Sequence, residues 1–154
     1  MMRIGYRGIP VVLTLSIALS SCCMCQAHKT PLEQTAAFDE GSLLMRDDLV
    51  VAIGRMKVAV AEYYNIYGKL PVRNRDAGLP EPDQYRGRTL RSASVGANGA
   101  IEFAFDARSG HDGGRVRLVP DTSHAAAMSI QWRCESADYP QIERVLPTCD
   151  YVSR

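Results

Sequence analysis

Apolar and polar positions change rhythm three times along the chain. Residues 11–19, VVLTLSIAL, are apolar apart from Thr14 and Ser16. From Leu43 onward the rhythm is helical. Leu49, Ile53, Met56, Val60, Tyr63, Tyr64 and Tyr67 fall on steps of three and four, and Arg46, Asp47, Arg55, Lys57 and Glu62 largely avoid that stripe. Upstream, Thr30, Pro31 and Glu33 have the order of a capping box, with the proline at the first helical position where its missing N–H costs least. Gly41 and Gly54 each weaken a helix by up to about 1 kcal/mol relative to Ala, which allows a bend or break near Gly41. Gly68 suits the left-handed residue after a helix and Pro71 blocks continuation, so the helix is expected to end near Tyr67. Stripe position alone accounts for the tyrosines, as packing residues rather than ligand contacts.

Residues 68–88 have no period and carry Pro71, Gly78, Pro80, Pro82 and Gly87, the composition of a long connecting loop. Loops of that length in compact domains are functional or flexible. A period of two follows. Ile101, Phe103 and Phe105 alternate with Glu102, Ala104 and Asp106, and Met128, Ile130 and Trp132 alternate with Ser129, Gln131 and Arg133. Residues 115–119, RVRLV, form a third run with Val116 and Leu118 inward, and 88–95, RTLRSASV, a weaker fourth. Asn98-Gly99 and Gly113-Gly114 supply the positive-φ residues that hairpins demand. The expected class is α+β: a long N-terminal amphipathic helix packed on a four-stranded antiparallel sheet with one polar face.

The first apolar run has another use. Arg3 and Arg7 precede it, with no acid among the first ten residues. It is too short to cross a hydrocarbon core, which takes about 20 apolar residues. A positive start and a short apolar core read as a secretory signal peptide. Leu19-Ser20-Ser21-Cys22 comes next, and that order resembles the lipobox of bacterial lipoproteins. The resemblance implies cleavage before Cys22 and acylation of its thiol and new amine. Two or three chains then anchor the protein, at about 0.8 kcal/mol per buried methylene. Cys23 in place of an aspartate after the anchor points, by analogy with enteric lipoproteins, to the outer membrane. Two other readings stay open. Cys25-Gln26-Ala27 suits an ordinary signal peptidase, which would release a secreted, soluble protein from His28. Cys22, Cys23, Cys25 and His28 are soft-metal ligands, although structural zinc sites space their thiolates two to four residues apart.

Composition narrows the function. The chain has 154 residues, 46% hydrophobic and 23% charged, and a formal charge of +1. That suits one globular domain and lacks the basic excess of a nucleic-acid binder. Export past an oxidising boundary makes a Cys134–Cys149 disulfide the default, stabilising by about 3 kcal/mol in the chain-entropy model. Paired free thiols are the alternative. Ser109, His111 and Asp112 lie together in SGHDGG, a candidate hydrolytic set or a polar hairpin. Asp106 and Asp112 are candidate calcium ligands, but the EF-hand pattern is missing. No cofactor and no metal site are expected.

The order of the parts resembles a family. MKVAVAEYYNIYGKLPVRNRDAGL, 56–79, resembles the segment of type IV pilins where the long helix ends. There AVAEYY is followed by a glycine, a proline, an asparagine and an AGL. NGAIEFAF at 98–105 is similar to their second strand. SIQWRC at 129–134, then LPTC at 146–149, is similar to their last strand and disulfide-bounded C-terminal loop. The likeness covers about 43–150. It implies the pilin fold, assigns Cys134 and Cys149 to the family's disulfide, and makes Gly68 through Leu79 the opening of the αβ-loop, a variable recognition surface. Lys69, Asn74, Arg75, Tyr85 and Arg86 are the loop candidates for binding. Pilins begin with a short leader and a phenylalanine-led helix with glutamate fifth. Residues 1–27 hold no Glu, so a lipid tether is expected where the polymerising helix stands in the family. The division is a lipoprotein signal at 1–21, tether and helix start at 22–42, and a pilin-like domain at 43–154. The expected function is a non-enzymatic, lipid-anchored module in the cell envelope, periplasmic or outer-membrane. It would contact pilins or pilus and secretion assembly proteins, or mediate adhesion. The alternatives are a structural minor pilin and a periplasmic hydrolase.

Overall fold

The helical rhythm belongs to α1, Pro31–Tyr67, whose 37 residues span about 55 Å at 1.5 Å per residue. The computed structural model describes residues 31–125 and 129–153, with side chains from residue 40 onward. The signal segment, Cys22, Cys23, Cys25, His28 and the capping Thr30 lie outside the described residues. The described part of the helix starts at Pro31, and the helix ends where Gly68, at φ 67°, donates its N–H to the Tyr64 carbonyl at 2.8 Å. It runs unbroken through Gly41. A Cβ there would collide with the Arg108 carbonyl oxygen, so the glycine lets the backbone of the 107–109 turn lie against the helix.

Met45, Leu49, Ala52, Met56 and Val60 form the buried stripe of α1. Their spacing turns one face of the helix onto the sheet. The tyrosines depart from the core packing expected of them. Tyr63 and Tyr64 are half-buried, and Tyr67 is 60% exposed, its ring tilted against that of Tyr63 at 4.5 Å between ring centres. Tyr67 is the last residue of the helix, just before the chain turns away at Gly68.

The sheet has the order β1 (Leu90–Val95), β2 (Ile101–Phe105), β3 (Arg115–Asp121), β4 (Gln131–Ser136) and β5 (Cys149–Tyr151). The first four are antiparallel neighbours, as the alternation predicts. The fifth was not predicted, and it pairs parallel to β4. Its three residues are too few to show a period. Asn98 (φ 56°) and Gly99 (φ 67°) turn the β1–β2 hairpin. Register makes one buried row from edge to edge, Val95, Ile101, Leu118, Cys134 and Cys149. The neighbouring row, Ser94, Glu102, Arg117, Glu135 and Asp150, faces away from the helix. Its opposite charges meet across strands. Arg117 lies 3.5 Å from Glu135 and Arg115 3.2 Å from Glu102. This is the polar face that the alternation requires.

The Cys134–Cys149 disulfide closes a loop of sequence separation 15. Inside it sits α2, Ile142–Val145, with Ile142 and Val145 both buried. Tyr139 is buried beside them, its ring edge-on to Phe105 at 6.1 Å. Sequence periodicity showed neither. The expected strand start at Met128 lies outside the described residues, and β4 itself begins at Gln131, after the buried Ile130.

A candidate docking surface

The αβ-loop leaves α1 at Gly68 and returns to the sheet at Leu90 through two short 3-10 turns, Asn74–Ala77 and Pro82–Gln84. Its five candidate residues divide by exposure. Lys69, Arg75 and Arg86 are exposed, whereas Asn74 and Tyr85 are buried, only 3% and 9% exposed. Asn74 has turned inward to fasten the loop. Its amide donates to the carbonyls of Pro80 at 2.7 Å and Ala93 at 3.0 Å, and its Oδ1 accepts the Val95 N–H at 2.6 Å. One side chain thus covers the open edge of β1 and satisfies its backbone. Asn74→Ala is expected to destabilise by about 2 kcal/mol in urea unfolding. Asn74→Asp should do at least as much, since it sets a carboxylate against two carbonyl oxygens. An unchanged midpoint in both would show that the loop is not held there.

Asp48, a residue the sequence reading passed over, fastens the other end. It sits on α1 beside the core residue Leu49 and reaches the start of β1. Its Oδ2 accepts from the N–H of Thr89 at 2.7 Å, the Thr89 hydroxyl at 2.8 Å and the N–H of Leu90 at 3.0 Å. Its Oδ1 accepts from the N–H of Arg88 at 3.1 Å. Burial pushes the Asp48 carboxyl up, but the bonds from Thr89, Leu90 and Arg88 outweigh it and hold the group below its ordinary value. Gly87 permits this approach, because a Cβ there would overlap the Asp48 carboxylate. Tyr85 packs next to these residues. Its hydroxyl is shielded from solvent and has no hydrogen-bond partner, an arrangement that costs about 1–3 kcal/mol.

The SGHDGG segment does not assemble a nucleophile and base. The Ser109 hydroxyl lies 2.7 Å from the Asp106 carbonyl and 2.7 Å from the Tyr139 hydroxyl. His111 Nδ1 faces the Asp138 carbonyl at 3.2 Å, and Asp112 pairs with Arg91 at 2.9 Å. Asp106 is held by Arg108, so the two candidate calcium ligands each face a guanidinium. Burial pushes the Tyr139 phenol up to about 12, keeping it a neutral partner for Ser109. These residues pin the 107–114 turn to the disulfide loop. Among the described residues, no group of three or more His, Cys, Asp or Glu is placed to hold a metal ion.

The outward side of α1 is the larger surprise. Leu43, Val50, Val51, Val58 and Ile66 are all more than half exposed. Between them lies Gly54, with open space where a Cβ would be. At 100° per residue, Leu43, Val50, Val51, Gly54 and Val58 share the face opposite the core stripe, and Ile66 flanks it. The helix is therefore apolar on both sides, and only one is covered. Periodicity marked the inner stripe and masked the outer one, because Asp47 and Glu62 interrupt it. No helix among the described residues is long and apolar enough to cross a membrane.

No curated protein matches the chain. A family model described as pilin (bacterial filament) matches residues 48–150, from the Asp48 clamp through the disulfide to β5. A helix laid on a largely antiparallel sheet, a disulfide-bounded C-terminal loop and that match agree: the chain belongs to the pilin family.

Proposed function

We propose that this pilin-family domain is a non-enzymatic, lipid-anchored module that docks onto pilus or related secretion components through the outer face of α1 and the αβ-loop. The observation that carries this is the exposed apolar stripe from Leu43 to Val58. Water-facing valines and a leucine on the outer helix face, interrupted by Asp47, favour a protein partner, and Gly54 among them admits close approach. Family membership supports a cell-envelope or extracellular setting and assembly with other pilus components. The tether is supported by the Leu19-Ser20-Ser21-Cys22 order that follows a short apolar run.

Placing a photo-crosslinking residue at Val58 in pilus-bearing cells should yield an adduct with a pilin or an assembly protein. A chain that forms no adduct there refutes docking by this face. Intact-mass measurement of membrane-extracted protein should show residues 1–21 removed and Cys22 acylated. A mature chain starting at His28 would replace the tether with secretion. The same stripe also supports a second reading, a minor subunit inside the fibre. Immunolabelling of purified fibres separates the two, since a tethered module leaves the shafts unlabelled.

A further inference from the structure

Between α1 and the segment returning to β1 lies a cleft of about 390 Å³, within the size range of specific ligand sites, roughly 300–1,000 Å³. Its apolar floor is Ala52 and Leu90, and Val51 stands exposed beside it. Charge in the cleft is unbalanced in one direction. Asp47 is occupied by Arg88 at 2.5 Å, and Asp48 by the backbone of Arg88, Thr89 and Leu90. Arg55 and Arg86 also line it. Among the described residues neither has a carboxylate within ion-pair distance; Arg86 donates only to the Asp83 carbonyl at 3.0 Å. Tyr85 closes the wall, nine-tenths buried, with the hydroxyl that has no partner. Arg55 lies near enough to act on that phenol electrostatically, drawing it down while burial pushes it up.

We infer that this cleft receives an acidic side chain of a partner protein, its carboxylate held by Arg55 and Arg86 and by the Tyr85 hydroxyl, its apolar neighbours on Ala52, Val51 and Leu90. Two guanidiniums above an apolar floor match a carboxylate carried on an aliphatic stem. The orphaned hydroxyl supplies a further donor, and because it is shielded, a small rotation of Tyr85 accompanies binding. The inference rests on the docking reading only in taking the carboxylate from a protein. The crosslink at Val58 tests that reading separately, so the two failures are distinguishable.

The test uses the full chain and two capped tripeptides, acetyl-Val-Glu-Val-amide and its Gln counterpart, followed through the arginine Nε–H and tyrosine ring NMR signals. The Glu peptide is expected to bind about tenfold more tightly than the Gln peptide. Arg55→Gln should weaken it about tenfold and Tyr85→Phe several-fold, while Arg144→Gln, exposed on α2 and away from the cleft, leaves it unchanged. Tyr85→Phe should not lower stability, since it deletes an unpaired group. Equal affinity for the two peptides, no binding by either, or an unaffected Arg55→Gln variant would each overturn the site. Succinate or inorganic phosphate binding as tightly as the Glu peptide would overturn its assignment to a protein side chain.

Discussion

Asp48→Ala is expected to lower the free energy of unfolding by about 3 kcal/mol, a large part of the stability of a domain this size. The carboxylate accepts three backbone N–H groups and one hydroxyl, all from Arg88, Thr89 and Leu90. Thr89 is fully buried, so water cannot replace the lost acceptor at its N–H or hydroxyl. The bonds also join positions about 40 residues apart, α1 to the first strand. The neighbouring Asp47, exposed and paired with Arg88, is the control. Asp47→Ala should change stability by less than about 1 kcal/mol.

The pH dependence has a definite sign. The folded-state value of Asp48 is depressed, so its contribution is complete above the unfolded-state value near 4 and is lost as pH falls through the lower folded value. Urea midpoints for wild type and Asp48→Asn should therefore differ most at neutral pH and converge in acid. A constant gap between pH 7 and pH 2.5 would mean that shape, not charge, makes the clamp. Gly87→Ala attacks the same contact from the other side, and its effect should shrink in the Asp48→Ala background. Additive effects would show that the two residues do not share one contact.

How much of this was legible depends on how local each cause is. The inner stripe of α1 and strands β2 and β3 were readable because burial on one face repeats at the period of the element. The Asn98-Gly99 turn was readable because two successive positive φ angles leave few residue choices. The parallel β5 and the four-residue α2 were not, since neither is long enough for a pattern. Tyr67 continued the stripe by spacing, but as the last residue of α1 it is exposed. Spacing reports only which face a residue occupies; whether that face is covered depends on what lies opposite it.

The site was less legible for the same reason. Asn74 in VRNRDAG reads as a loop residue, and its burial is decided by Ala93 and Val95, about 20 positions away. Asp48 follows another aspartate on the helix and reads as solvent-facing. Only the return of the chain at Arg88–Leu90 makes it an acceptor. Two loop candidates, Tyr85 and Arg86, line the cleft, whereas Arg55, another lining residue, lies on the helix and outside the loop reading. The outer apolar face of α1 was visible in the letters Val50, Val51 and Val58. A single-stripe reading simply assigned the hydrophobic residues it needed and left these over.

Replacing both Cys134 and Cys149 by Ser is expected to destabilise by about 3–4 kcal/mol, mostly by freeing the unfolded chain, since a loop of about 15 residues contributes roughly 3 kcal/mol in the chain-entropy model. The native state should lose structure unevenly. β5 has three residues and pairs with β4 alone. Without the bond it rests on the pairing of positions 149–151 and on the Val152 N–H that donates to the Ser136 carbonyl at 2.9 Å. The loop before it has its own anchors, Ile142 and Val145 in the core and Tyr139 against Ser109. Amide exchange in the Ser variant should thus accelerate most at Cys149→Ser and Val152, less across α2, and in β1–β3 only by the global loss. The urea dependence should steepen, because an uncrosslinked unfolded chain exposes more surface. An unchanged midpoint would deny the disulfide its stabilising part. Equal acceleration along 137–152 would instead show that the bond, rather than the buried α2, holds the C-terminal loop in place.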